Sequence, residues 1–361
     1  MKAELTATDQ AHLRRALELA EGGRGRVSPN PLVGAVLARD GEIVGEGFHA
    51  ELGGLHAERA ALEDCHGRGE GPAGATMYVT LEPCAHQGRQ PPCVEAILEA
   101  GIGRVVIASD DPSEKAAGRG PGILRDGGVE VVLATGAEAT AARRLNQPFR
   151  KHSRTGLPLV VLKVAMSLDG GTTTAPGDSP WISGPESRDL VHRWRAEHDA
   201  IAVGIGTALA DDPLLTARLD GARQPKRVVF DSQARLPLHS QLLATLDQAP
   251  VLVITAPGAP ADRTTALKEA GAEIIPAADL ESALRELGRR EVTGLFLEGG
   301  QTLASSFVSA GQIDESRTFI APMLLGGPEK GSEAAARLVA LDSTTEQVGE
   351  DILVRARFKE W

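Results

Sequence analysis

The sequence predicts two successive α/β domains, and three observations point there. The chain has 361 residues, about two domains at one per roughly 100–200 residues. Short apolar runs alternate with stretches of helical spacing along most of its length, the pattern of a sheet crossed by helices. That alternation lapses between Arg143 and Pro158, in the polar, basic stretch RRLNQPFRKHSRTGLP. The expected division is residues 1–147, a linker over 148–157, and residues 158–361.

In the first half, Leu32–Ala38 and Glu42–His49 read as strands joined through Arg39-Asp40-Gly41, and Asp-Gly is a strong hairpin signal. His56–Cys65 places Ala57, Ala60, Ala61 and Leu62 at helical spacing. Ala75–Leu81 reads as a buried strand, and Pro91–Gly101 as a helix with prolines before it and glycine after. Arg104–Ser109 and Val129–Ala134 supply further strands, so a largely parallel sheet covered on both faces is expected. In the second half LVVLKVAMS, DAIAVGI, KRVVFD, APVLVIT, AEIIP, GLFLEGG and RTFIAPM recur as β-rich runs. PESRDLVHRWRAEH and ADRTTALKEAG between them have helical character.

Composition narrows the function. Hydrophobic residues at 42% and charged residues at 24% are ordinary for a globular protein. The net charge of −11 is spread evenly, with 16 basic against 21 acidic residues over 1–150 and 22 against 28 in the rest. Neither half is a basic nucleic-acid platform, and 3% aromatics leave few surfaces for stacking bases. No apolar run approaches the roughly 18 residues of a membrane span. The polar start argues against secretion, and three cysteines make no disulfide framework. A cytoplasmic protein acting on neither membrane nor nucleic acid is expected.

The informative constellation is His56-Ala57-Glu58, then Pro83-Cys84, then Cys93. One imidazole and two thiolates suit zinc in tetrahedral geometry, and three protein ligands leave a position for water. Glu58, two residues after the imidazole at the start of a helix, is placed to shuttle protons without ligating, as in zinc deaminases generally. Helix N-termini near Cys84 and Cys93 favour thiolates. A closed structural site with His49 or His86 as fourth ligand is the competing reading, and it gives Glu58 no task. A pair of merely buried thiols is a second alternative.

Here a resemblance enters. VSPNPLVGAV (Val27–Val36), GLHAERAAL (Gly54–Leu62) and TLEPCAHQGRQPPC (Thr80–Cys93) resemble the deaminase half of the bifunctional riboflavin-biosynthesis deaminase–reductase family. Most of the wider cytidine-deaminase superfamily has Pro-Cys-x-x-Cys, whereas eight residues separate Cys84 from Cys93 here, as in the riboflavin branch. The resemblance implies a cytidine-deaminase-like three-layer α/β/α domain with one zinc on His56, Cys84 and Cys93, and Glu58 as the catalytic group. It casts Asn30, His86 and Arg89 as candidate substrate contacts. Ser113 departs from the family's usual Asp-Pro-Asn, and Cys65 has no matching role.

Read alone, the second half says less. Gly204-Ile205-Gly206 begins like a dinucleotide fingerprint, but Leu209 holds the third glycine's place. GLFLEGGQTLASSF offers a strand, two glycines and a helix start, equally an anion site or an ordinary turn. Leu162–Thr174, Ser179–Arg188, Val203–Arg218, Val228–Pro237, Leu297–Phe307 and Ile320–Gly327 are similar to the same family's reductase domain. A dihydrofolate-reductase-like α/β fold is implied. Residue by residue, Ala165, Trp181, Thr207, Asp211, Ser232 and the turn of Gly300, Gln301, Thr302, Leu303, Ala304, Ser305 and Ser306 fall where relatives bind NADPH. Ser179, Arg195, Leu215, Arg218 and Glu298 fall where relatives hold the ribosyl phosphate. Arg195 and Arg218 are guanidinium forks suited to phosphate. Trp181 is equally readable as a core tryptophan, and Lys163 as a snorkelling strand lysine.

The expected function is a two-step enzyme. Zinc-dependent hydrolytic deamination of 2,5-diamino-6-ribosylamino-4(3H)-pyrimidinone 5′-phosphate precedes NADPH-dependent reduction of the ribosyl group of 5-amino-6-(5-phosphoribosylamino)uracil to ribityl. A homo-oligomer acting on this small pyrimidine ribosyl phosphate is expected. The alternatives are a nucleotide or nucleic-acid base deaminase fused to an unrelated α/β domain, and a non-catalytic binding protein with structural zinc.

Overall fold

A computed structural model describes residues 5–87, 90–114, 116–173, 181–326 and 337–361. Arg89 and Ser179, both named above as candidate substrate contacts, lie outside the described residues. The chain divides into two compact units, Met1–Thr155 together with Trp361, and Gly156–Glu360.

The first unit runs α1 (Ala7–Ala20), β1 (Gly34–Arg39), β2 (Glu42–Phe48), α2 (Ala57–Gly67), β3 (Thr76–Val79), α3 (Cys93–Glu99), β4 (Arg104–Ile107), α4 (Arg119–Asp126), β5 (Glu130–Leu133), α5 (Ala137–Leu145) and α6 (Gln147–Thr155). Its sheet has the order β2-β1-β3-β4-β5. β1 is antiparallel to both β2 and β3, while β3, β4 and β5 are parallel, so the sheet is mixed where a largely parallel one is expected. The cause is local. Asp40 and Gly41 both take positive φ, at 52° and 87°, the tight turn that folds β2 back on β1. Helical crossovers carry the chain between the parallel strands.

Strand alternation divides the core between the two faces. Ala35, Leu37, Met77 and Val79 pack with Ala57, Ala61 and Leu62 of α2, Ile97 of α3 and Leu124 of α4. Val36, Ala38, Tyr78 and Val106 pack on the other face with Leu13 and Ala16 of α1 and Ala142 of α5. α1 starts at a reciprocal capping box between Thr6 and Asp9. α2 lies directly on β2 because Gly45 and Gly47 present no side chain to it; a Cβ on Gly47 would stand 2.3 Å from the Ala61 nitrogen. α6 occupies most of the polar stretch at 147–155 and buries Gln147, Arg150 and Lys151. Arg150 donates to the Trp361 carbonyl, the Ser109 hydroxyl, and both the carbonyl and carboxylate of Asp110.

The second unit runs β6 (Leu159–Ser167), α7 (Pro185–Glu197), β7 (Ala200–Gly204), α8 (Ile205–Asp211), β8 (Lys226–Phe230), α9 (Gln241–Ala244), β9 (Val251–Thr255), α10 (Ala261–Glu269) and β10 (Glu273–Pro276). It continues with α11 (Leu280–Arg289), β11 (Gly294–Leu297), α12 (Gln301–Ser309), β12 (Glu315–Ala321), β13 (Asp342–Val348) and β14 (Asp351–Arg357). The sheet order is β10-β9-β8-β7-β11-β6-β12-β14-β13. Strands β10 through β12 are parallel along this order, and β14 runs antiparallel between β12 and β13. From β6 the chain winds outward through β7 to β10, then returns to insert β11 between β7 and β6. In such sheets the crevice for ligands opens at the carboxyl ends of the strands where the winding reverses. Here those ends are Ser167 of β6, Gly204 of β7 and Leu297 of β11, which Glu298 follows. Among the described residues no helix is long and apolar enough to cross a membrane.

Candidate functional site

In the first unit three donors converge. His56 caps α2, its extended backbone turning the chain into the helix, and Cys93 is the first residue of α3. Cys84 sits in the loop after β3. Its carbonyl accepts from the Val94 amide, and its sulfur from the Cys93 amide at 3.3 Å. The amides that open α3 therefore hold Cys84, which itself stands at no helix start.

His56 Nδ1 lies 3.5 Å from Cys84 Sγ and 3.3 Å from Cys93 Sγ, and the three ligand atoms fall within 4.8 Å of one another. A tetrahedral zinc with Zn–N about 2.0–2.1 Å and Zn–S about 2.3 Å has N···S edges of about 3.6 Å. The donor set and its spacing fit zinc. Among the described residues no fourth histidine, cysteine or carboxylate joins the group. His49, the first alternative ligand, is engaged otherwise. Its Nδ1 donates to the Leu55 carbonyl at 2.8 Å, and its Nε2 faces the Asn30 amide nitrogen at 3.1 Å. Its ring lies edge-on to His56, 5.5 Å between centroids. His86, the other alternative, is not in the cluster.

The electrostatics suit a thiolate site beside a proton carrier. Cys84 is held down to about 4 by the hydrogen bond from the Cys93 thiol and then by His56, with burial opposing. Cys93 is pushed up by the same bond and by burial. Glu58, on the first turn of α2 and only 4% exposed, has its proton affinity raised by burial and by the neighbouring Cys84 charge. Sequence reasoning passed over Glu82. Its buried carboxylate accepts from the amides of Gly118 and Gly120, and its own amide donates to the Ser109 carbonyl. Glu82 thereby ties the segment after β4 to the Pro83-Cys84 loop. The signal was present as a carboxylate directly before Pro-Cys, without a periodicity to mark it as buried.

In the second unit Glu298 follows β11, and its amide donates to the Ala202 carbonyl. Arg195, on α7, grips its carboxylate bidentately, Nε to Oε1 at 2.6 Å and Nη2 to Oε2 at 2.9 Å. Burial opposes ionisation of Glu298, but Arg195 prevails and holds its carboxyl below the usual range. The remaining nitrogen of Arg195 donates to the Thr216 carbonyl at 3.1 Å, so this fork faces a carboxylate of its own chain. Thr216 lies between Leu215 and Arg218, which takes both of those candidates to the same pair of residues. Lys163, on β6, has its ammonium form disfavoured by burial, with Glu298 opposing.

Gly299 and Gly300 lead into α12. The Gly300 amide donates to Thr207 Oγ1 at 3.2 Å, bringing the α8 and α12 starts together. A Cβ on Gly299 would stand 2.9 Å from Leu303. Gln301 through Ser306 form the first turns of α12, with the Ser306 hydroxyl bonded back to the Thr302 carbonyl. Ala165 sits on β6 opposite Phe319, Asp211 ends α8, and Ser232 follows β8. Trp181 is 58% exposed with the Arg188 guanidinium 5.0 Å from its ring, so it is not a core residue.

Comparison with known proteins finds a matching family for each half. Residues 158–354 match the family model of the RibD C-terminal domain. Residues 6–109 match that of the cytidine and deoxycytidylate deaminase zinc-binding region. The riboflavin biosynthesis protein RibD of Actinobacillus pleuropneumoniae is 40% identical over 97% of this chain and 95% of its own length. The chain belongs to the RibD family. RibD of Escherichia coli is 40% identical over 90% of each chain. Among solved structures, RibD of Acinetobacter baumannii superposes with a TM-score of 0.86 at 38% identity, covering 98% of this chain and 99% of that one. A Thermotoga maritima protein described as a diaminohydroxyphosphoribosylaminopyrimidine deaminase/5-amino-6-(5-phosphoribosylamino)uracil reductase gives 0.85 at 35% identity, over 98% and 99%. The chain is thus a bifunctional riboflavin-biosynthesis enzyme, with a zinc-binding deaminase domain and a reductase domain that takes a nicotinamide cofactor.

Proposed function

We propose that the first unit deaminates 2,5-diamino-6-ribosylamino-4(3H)-pyrimidinone 5′-phosphate and that the second reduces the resulting 5-amino-6-(5-phosphoribosylamino)uracil to its ribityl form with NADPH. The observation that carries the reading is the convergence of His56 Nδ1 and the Cys84 and Cys93 sulfurs beside buried Glu58. These three residues hold one zinc per chain, and the ion when bound supplies Lewis acidity to the attacking water. Glu58 takes a proton from that water and returns one to the amine leaving C2, so that ammonia departs. Its burial favours the protonated form it must hold between the two transfers. Asn30, whose amide faces the His49 ring just past β2, contacts the pyrimidine, and His49 in turn lies edge-on to His56.

In the second unit NADPH, when bound, supplies the hydride taken up at C1′ of the opened ribosylamino group. The protein's part there is orientation. Gly300 to Ser306 and Thr207 cradle the cofactor phosphates at the start of α12, with Ala165 on β6, Asp211 at the end of α8, Ser232 after β8 and Trp181 as an apolar wall. Glu298, steadied by Arg195, accepts from the substrate's hydroxyl or amine groups. Arg218 takes the phosphate, with Leu215 and Ser179 as further contacts. The reading places the enzyme in the cytoplasm, where its three free cysteines stay reduced, as a homo-oligomer. The test is to supply the diaminopyrimidine ribosyl phosphate and follow ammonia and NADPH together. One ammonia released, followed by one NADPH oxidised, is expected. Ammonia from CMP or single-stranded DNA, with none from this substrate, would reject the reading.

A further inference from the structure

Leu215 and Arg218 share an uncommon backbone: φ is 55° at Leu215 and 49° at Arg218, the left-handed region, which non-glycine side chains occupy only when their surroundings impose it. A branched Leu and a long Arg carry no local reason for it. Between them, Thr216 and Ala217 are buried, and three side chains outside the turn hold them. Arg195 donates to the Thr216 carbonyl at 3.1 Å, and His192 Nδ1 stands 3.3 Å from that same oxygen. The Ala217 amide donates to Gln224 Oε1 at 2.9 Å. A carbonyl only accepts, so His192 carries its proton on Nδ1.

We infer that His192 is a positioning residue of the reductase site: with Gln224 it locks the strained Leu215–Arg218 turn in the geometry that presents Arg218 to the substrate phosphate. His192 and Arg195 lie three residues apart on α7, one turn of the same helix face, so a single helix aligns both the turn and Glu298. The Arg195 fork is committed mainly to Glu298. The turn therefore needs His192 and Gln224 for its own register. Relaxed to right-handed φ, Leu215 and Arg218 would point elsewhere while the Gly300 turn of the cofactor site stayed in place. The inference rests on the proposed role of Arg218 as a substrate contact.

The experiment is steady-state reductase kinetics on the full chain, with the deaminase rate as internal control. His192→Ala is expected to raise KM for the deaminated substrate about tenfold, as loss of one buried hydrogen bond warrants. Its kcat should stay within about threefold, with KM for NADPH and the deaminase rate unchanged. His192→Asn, whose amide nitrogen can replace Nδ1 as donor, should restore KM to within about twofold. Gln224→Leu is the second probe should His192→Ala fail to fold, and it should raise the same KM. Arg218→Ala tests the premise. A raised KM in Arg218→Ala with unchanged KM in His192→Ala and Gln224→Leu overturns the positioning role. Unchanged KM in Arg218→Ala overturns the premise. Equal failure of His192→Asn and His192→Ala, or a rise in both KM values together, marks His192 as merely structural and likewise overturns the inference.

Discussion

Glu58→Gln separates proton transfer from metal binding in the deaminase. Glu58 is the second residue of α2, is 4% exposed, and stands outside the donor triad of His56, Cys84 and Cys93. The amide has the same shape, so no cavity opens. Burial already disfavours the ionised carboxylate, and losing its charge at a helix start costs about 0.3–1 kcal/mol at most. Removing a general acid–base group lowers rate by about 10²–10⁴, or roughly 2.7–5.4 kcal/mol of barrier. Ammonia release from the diaminopyrimidine substrate should fall by that factor. Zinc content by mass spectrometry should match the parent, and NADPH oxidation with the deaminated substrate should be unchanged. Parental ammonia release by Glu58→Gln would refute the role given to this carboxylate.

Two further outcomes follow from packing and charge. Tyr78 is the only tyrosine, and its hydroxyl donates to Asp9 Oδ1 at 2.9 Å; burial first, and then Asp9, push its phenol up to about 12 from the ordinary 10. The fold favours the protonated phenol, so this contribution to stability is present below pH 10 and lost as pH rises towards 12; alkaline absorbance titration should show one phenolate midpoint near 12, and a midpoint near 10 in folded protein contradicts it. Gly47→Ala forces α2 off β2, because the new Cβ would meet the Ala61 nitrogen at 2.3 Å; a loss of about 1–3 kcal/mol in denaturant unfolding of the deaminase unit is expected, and an unchanged unfolding midpoint refutes the close approach.

The metal centre was legible because its chemistry sits in residue types rather than in packing. His56, Glu58, Cys84 and Cys93 are individually weak signals, and only their order and spacing select zinc. The main strands were legible for a different reason, since runs such as Val160–Leu162 and Val251–Ile254 are buried on both faces and read as apolar blocks. β13 escaped because all but the last of its residues, Asp342 to Gln347, are exposed, which leaves no alternation to read. α6 escaped for the opposite reason: the side chains it buries are Gln147, Arg150 and Lys151, so hydrophobic periodicity is silent where the helix packs. α1 was not read as an element, since the polar start argued only against secretion, and its capping box between Thr6 and Asp9 is seen in the fold. The Arg195–Glu298 pair was beyond reach, because 102 intervening residues separate partners that only the insertion of β11 brings together. Both were named singly, as a phosphate fork and a hydrogen-bond acceptor, while their grip on one another became visible only in the fold.

X-ray absorption at the zinc edge of the purified full chain, after reconstitution with the metal, reads the deaminase centre directly. One nitrogen near 2.0–2.1 Å, two sulfurs near 2.3 Å and one exchangeable oxygen are expected. Four protein ligands in the first shell, or failure to take up zinc at all, would contradict the account of how this enzyme removes ammonia.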